Sequence, residues 1–219
     1  MAFRHLSDFE HIQKNVAHYI RDTETPLYLL TELIYNAADE LLSGYADTIA
    51  IILNYRDQVY CVSDNGRGIP IHQKDMEHDI PIEIVTSLRT GGKFDNDLYN
   101  QKAGLHGEGL TIVNSLSNRM SITTKVKEKQ YYQYEFFGTD NKDITPKVLN
   151  RDFNFSTKIC FWPSDKYFDS LDIAKDIVIE RSKGILISSS PPVIVMAQFI
   201  KVSATRVKSM SNFMADNSA

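Results

Sequence analysis

Val59-Tyr-Cys-Val-Ser-Asp64-Asn-Gly66-Arg-Gly68-Ile-Pro70 is an apolar, strand-like run that ends in a carboxylate and two closely spaced glycines. A carboxylate at a strand end can accept hydrogen bonds from a ligand amine, and glycines beside it let the backbone approach a flat ring. An ordinary Asn-Gly turn with a charged rim would read the same way, so the flanking sequence has to decide. Upstream, residues 48–53 form a second strand-like run, joined to 59–63 by the polar segment Asn54-Tyr-Arg-Asp-Gln58, which predicts a hairpin.

Before the hairpin, residues 26–44 predict a strong helix. Leu27, Leu30, Leu33, Ile34, Ala37, Ala38, Leu41 and Leu42 keep helical spacing, Pro26 suits a first turn and Gly44 a stop. A second stripe, Glu32, Asn36 and Asp39/Glu40, borders the apolar one. Glu32 could take a proton from water, and the Asn36 side-chain oxygen could be one hard ligand for Mg²⁺. Taken alone, this stripe reads equally as a solvated face.

Downstream, helices are predicted over 82–88, 110–116 and 171–182, and strands over 120–125, 131–137, 158–162 and 193–202. A short helix over 8–19 precedes them all. Strands and helices interleave without regular βαβ units, which predicts an α+β fold with a mixed, mostly antiparallel sheet. Glycine is scarce, ten in 219 residues, yet seven of the ten lie between Gly66 and Gly109. The third cluster, Gly104-Leu105-His106-Gly107-Glu108-Gly109, opens directly into the helix at Leu110. Free backbone N–H groups at such a place suit an anion. The pattern is neither a P-loop nor a dinucleotide fingerprint. Gly91-Gly92-Lys93 adds a cation that could fold over phosphates.

Net charge is −4, which argues against a basic nucleic-acid-binding face on this chain itself. No aliphatic run exceeds five residues, which excludes a membrane-spanning helix. The start of the chain has no apolar core of a signal peptide. Cys61 and Cys160 stand alone in apolar runs, so buried free thiols and a cytoplasmic setting are expected.

Glu32-x-x-x-Asn36, Asp64-x-Gly66-x-Gly68, Gly91-Gly92-Lys93-Phe94 and Gly104-Leu-His-Gly107-x-Gly109 together resemble the ATP-binding domain of bacterial type II topoisomerases. That group comprises DNA gyrase B and its topoisomerase IV counterpart, within the GHKL ATPase superfamily. Val113-Asn-Ser-Leu-Ser117, and Thr157 followed by Phe161-Trp-Pro-Ser164, are similar to the same branch. The resemblance runs over roughly 13–203. It implies a two-layer sandwich with helices covering one face of the sheet, residues 1–203 as one ATP-binding domain, and 204–219 as a polar tail. The short segment from Tyr19 to Glu32 is more like topoisomerase IV than gyrase.

By that resemblance Glu32 is the general base, and Asn36 holds Mg²⁺ against the phosphates of ATP. Asp64 accepts from the adenine amine, with Thr157 sharing its water. Glu40 and Arg67 form a salt bridge at the adenine floor. Leu33, Val62, Gly68, Ile69, Pro70, Ile84 and Ile159 line the pocket. Lys93 and the run Gly104, Leu105, His106, Gly107, Glu108, Gly109 and Leu110 cover the triphosphate. The family also implies a homodimer, a DNA-cleaving partner subunit, DNA, and ATP-competitive inhibitors. The family's N-terminal arm and phosphate-sensing lysine have no counterpart in the sequence, so the domain is expected to bind ATP and hydrolyse it poorly. Glu108 stands where the family has a small apolar residue, and its side chain is expected to point outward. A regulatory module without turnover is the alternative that Glu108 raises.

Overall fold

The computed structural model describes residues 6–72, 77–88, 108–186 and 194–199, with backbone only for 184–186 and 194–199. Six helices and seven strands follow in the order α1 (Asp8–Lys14), α2 (Val16–Tyr19), α3 (Leu27–Leu42), β1 (Thr48–Asn54), β2 (Val59–Asp64), α4 (Ile80–Thr86), α5 (Gly109–Ser115), β3 (Ser117–Lys127), β4 (Gln130–Phe136), β5 (Lys147–Leu149), β6 (Thr157–Pro163), α6 (Lys175–Leu186) and β7 (Ile194–Phe199). The expected α+β sandwich is what forms. One sheet runs in the order β5-β4-β3-β6-β2-β1-β7, antiparallel throughout except for β7 on β1.

Strand alternation decides which side chains meet the helices. Ile49, Ile51 and Leu53 of β1, Tyr60 and Val62 of β2, Met120 and Ile122 of β3, and Ile159 and Phe161 of β6 join one buried cluster. Leu29, Leu30, Leu33, Ile34, Ala37, Ala38 and Leu41 of α3 complete it. At about 1.5–3 kcal/mol for each fully buried aliphatic side chain, this face is the main source of stability. The same alternation turns Asp64, the last residue of β2, toward the helices and leaves it 6% exposed.

Helix α5 is locked onto α4 by buried polar groups. Thr111 Oγ1 donates to the carbonyls of Ile84 and Ser87 at 3.2 and 3.0 Å. Asn114 Nδ2 donates to the carbonyls of Val85 and Thr139 at 3.0 and 3.3 Å. Those bonds hold α5 against α4 and the residue that follows it.

Several expectations are corrected. The helix expected over 8–19 breaks at Asn15, whose side chain takes the carbonyl of His11 at 2.9 Å while its backbone leaves the α region. Pro26 caps α3 from outside the first turn. Helix α4 begins two residues early, because Pro81 sits in its first turn, where a missing N–H is harmless. Strand β5, only three residues long, carries no period that sequence reading could detect.

The largest correction concerns the cysteines. Cys61 and Cys160 are joined by a disulfide, their Cα atoms 4.1 Å apart. Their separation of 99 residues hides the pairing, but β6 lies beside β2 and the register sets Cys61 opposite Cys160. Free thiols therefore no longer support a cytoplasmic setting. Among the described residues, no helix is long and apolar enough to cross a membrane.

Removing the bridge between α5 and its neighbours has a definite expected cost. Asn114→Ala strands the buried Val85 carbonyl and frees the part-buried Thr139 carbonyl, and should lower the unfolding free energy by about 1–3 kcal/mol in urea titrations. A loss below about 0.5 kcal/mol would show that α5 is not held this way.

Candidate nucleotide site

The site is built where β2, the turn after it and the polar stripe of α3 converge. Gly66 N–H donates to Asp64 Oδ1 at 2.9 Å, and the Thr157 hydroxyl on the neighbouring strand also bonds this carboxylate. Burial pushes the Asp64 carboxyl up to about 7 from an ordinary 3.8. The negative charge of Glu40 adds to the rise, and the bonds from Gly66 and Thr157 only partly oppose it. Asp64 is thus a buried acceptor poised to gain from a donor that arrives with a ligand.

The turn has little freedom. A Cβ on Gly66 would lie 2.7 Å from Glu40 Oε2 and 2.9 Å from Asp64 Oδ1, so only glycine fits between the two carboxylates. Gly68 has φ +80°, and a Cβ there would press on Thr124 Oγ1 and the Lys125 carbonyl. Thr124 Oγ1 accepts from Ile69 N–H at 2.7 Å and donates to the Ile69 carbonyl at 3.0 Å, pinning the turn to β3. Nothing in the sequence singled out Thr124, because its role depends on a strand 55 residues away.

Arg67 pairs with Glu40 as expected. Its Nη2 lies 2.6 Å from Oε1, and its Nε and backbone N–H both donate to Oε2, at 3.1 and 3.0 Å. The guanidinium stacks 3.8 Å from the centre of the Tyr45 ring. Burial would raise the Glu40 carboxyl, but the Arg67 bonds and charge outweigh it and hold the group below its usual range.

Glu32 and Asn36 stand half-buried one turn apart on α3, and Glu40 follows one turn later. Tyr28, a further turn upstream, is hydrogen-bonded to Glu32. Burial pushes the Tyr28 hydroxyl up to about 12, with Glu32 and the charge of Glu108 contributing and Arg21 opposing. A Cβ on Gly109 would collide with Glu32 Oε2, so a larger residue there would displace the Glu32 carboxylate. Glu108 caps α5 and is half-buried, with its charge acting on Tyr28. It does not stand clear in solvent as expected, because the start of α5 leans onto α3. Tyr28 was not anticipated, since its spacing from Glu32 carries no signal in a helix full of i, i+4 pairs.

Among the other expected pocket residues, Leu33, Val62, Ile69 and Ile159 are buried, Ile84 and Leu110 are half-buried, and Pro70 is exposed. Lys93, Gly104, Leu105, His106 and Gly107 lie outside the described residues. Among the described residues no three acidic, histidine or cysteine side chains cluster as a metal site. The side-chain amide oxygen of Asn36 is a hard donor of the kind Mg²⁺ takes.

Three comparisons agree with this geometry. The family model described as histidine kinase-, DNA gyrase B- and HSP90-like ATPase matches residues 21–146. The B polypeptide of DNA topoisomerase 4 from Francisella tularensis subsp. holarctica is 38% identical over 173 residues, covering 77% of this chain and 27% of that protein. The B polypeptide of DNA gyrase from Helicobacter pylori is 37% identical over 186 residues, covering 81% of this chain and 23% of that one. A solved topoisomerase IV ATP-binding domain of Francisella tularensis, in complex with a small-molecule inhibitor, matches with a TM-score of 0.71 and 27% identity. That match covers 86% of this chain and 88% of the solved one. The chain spans about a quarter of the length of these two curated relatives.

The burial of Asp64 has a consequence for stability. Between pH 3.8 and about 7 the folded state holds a proton that the unfolded chain has lost, so stability falls as pH rises through that window. Without nucleotide, Asp64→Asn should be more stable than wild type at pH 8 by on the order of 3 kcal/mol, with the gap closing toward pH 4. Equal stability at pH 8 would contradict the buried, poorly compensated carboxylate.

Proposed function

This chain belongs to the histidine kinase-, DNA gyrase B- and HSP90-like ATPase family, and we propose that it is the ATP-binding domain of a type II DNA topoisomerase. The observation that carries this reading is Asp64, a buried carboxylate at a strand end whose available bonds do not offset its burial. The N6 amine of adenine supplies the missing donor. Ile69, Pro70 and Gly68 would lie against one face of the ring, with Val62, Ile84 and Ile159 around it, and Thr157 would share a water with Asp64. The Glu40–Arg67 pair sets the floor.

The triphosphate would then extend along the stripe of α3 toward the start of α5, under Lys93 and residues 104–110. Mg²⁺, with Asn36 as its protein ligand, would supply charge neutralisation on the phosphate oxygens. Glu32 takes a proton from the attacking water. As that oxygen bonds to the γ-phosphorus, the bridging bond to the β-phosphate breaks and ADP leaves. The hydroxyl of Tyr28 occupies part of the Glu32 carboxylate and orients the remainder toward the water.

In the whole protein, ATP binding would close a homodimer gate on DNA, beside a DNA-cleaving partner subunit in the cytoplasm. Hydrolysis would reset it. Residues 1–203 make up the ATP-binding unit in this reading, and compounds that compete with ATP would act at Asp64.

Calorimetric titration of ATP against inosine triphosphate tests the reading at its carrying residue. At pH 8, where Asp64 is mostly ionised, inosine, with a carbonyl in place of the amine, offers Asp64 no donor and sets an acceptor against it. Its affinity should be at least about tenfold lower than that of ATP. Equal affinities would remove Asp64 from the base-recognition role.

A further inference from the structure

We propose that Cys61 and Cys160 form a reversible thiol–disulfide modification site that sets the nucleotide affinity of the domain, an inference that rests on the ATP-site reading above. The two residues face each other across β2 and β6. Along the same ladder the next pairs are Val62 with Ile159, Ser63 with Lys158, and Asp64 with Thr157. The disulfide therefore ties together the two strands that carry the base-recognising carboxylate and its hydroxyl partner, about 10 Å from them at roughly 3.4 Å per residue.

The bond also lies outside the main core, under the side chains of Val59 and Trp162. Strand alternation turns both cysteines away from the helices, into a small cluster with Ile52, separate from the main core. Each cysteine is 6% exposed, and the partly buried side chains of Val59 and Trp162 pack against the cluster. The strand register itself sets Cys61 opposite Cys160, so closure needs no change of register.

A low-molecular-weight disulfide such as oxidised glutathione supplies the oxidising equivalents. One cysteine thiolate attacks it, forming a mixed disulfide and expelling one small thiolate. The second cysteine gives up its proton and attacks the protein sulfur of that mixed disulfide, expelling the other small thiolate. Two protein thiols and one small disulfide thus become one protein disulfide and two small thiols, and an excess of small thiol reverses the exchange. With the bond broken, only the hydrogen-bonded ladder joins β2 to β6 at this rung, and the spacing of Asp64 from Thr157 three rungs along is freer to vary.

Trp162, the chain's single tryptophan, packs against the pair and reports on it. The protein is equilibrated in glutathione buffers of graded potential. Tryptophan fluorescence and thiol titration follow the bond, circular dichroism follows the fold, and calorimetry gives the ATP dissociation constant. The expected result is reversible interconversion with the fold retained, and ATP binding at least threefold tighter in the oxidised form. The double variant Cys61→Ala/Cys160→Ala should bind like the reduced protein and ignore the buffer. Equal ATP affinity in both redox forms overturns the proposal, and so does a pair that never forms a disulfide or unfolds when reduced. Absence of ATP binding in every form would instead overturn the nucleotide-site reading on which the proposal stands. The wild-type comparison decides the matter even if the double variant does not fold.

Discussion

A carboxylate taken out of water at the end of β2 is the constraint around which this domain is arranged. Asp64 is there because strand alternation places it in line with Tyr60 and Val62, on the face that packs against α3. A buried carboxylate needs donors, and the chain supplies a backbone N–H from Gly66 and a hydroxyl from Thr157. Each has structural consequences. The first forces a tight turn in which only glycine can pass between Asp64 and Glu40, and the second requires β6 to lie beside β2. Compensation stays incomplete, and the incompleteness is what makes the group useful to a ligand that brings an amine.

The second carboxylate beside it is treated in the opposite way. Glu40 is neutralised by three donors from Arg67, so its charge serves architecture and not recognition. Two acids on either side of one glycine are thus driven apart in their proton affinities, Asp64 upward by its burial and Glu40 downward by Arg67. At the other end of α3, Glu32 is hydrogen-bonded by Tyr28 and lies beside Gly109, where an added Cβ would meet its carboxylate. Function here is stored as local instability, which the packing of α3 on the sheet is large enough to carry.

Much of this was legible in the sequence because it rests on short-range pattern. The eight apolar positions of α3 keep helical spacing, the hairpin of β1 and β2 has two apolar runs around a polar turn, and Asp64-x-Gly66-x-Gly68 keeps acid and glycines adjacent. What escaped depends on distance along the chain. The Cys61–Cys160 bond and the clamp of Thr124 on Ile69 exist only once the strand order is known. The break at Asn15 escaped for another reason: a change of backbone conformation at one residue leaves the apolar period intact. Glu108 was recognised as out of place, but its half-burial and the action of its charge on Tyr28 depend on how α5 and α3 pack, which no local pattern encodes.

Asp64 is, in this view, a buried, proton-holding acceptor that a nucleotide amine converts to a carboxylate. Carbon-13 NMR of the side-chain carboxyl, titrated over pH with and without ATP, measures this directly. The midpoint should lie near 7 in the free protein and fall by at least about one pH unit when ATP is bound. A midpoint near 4 in the free protein, or one that ATP leaves in place, would contradict it.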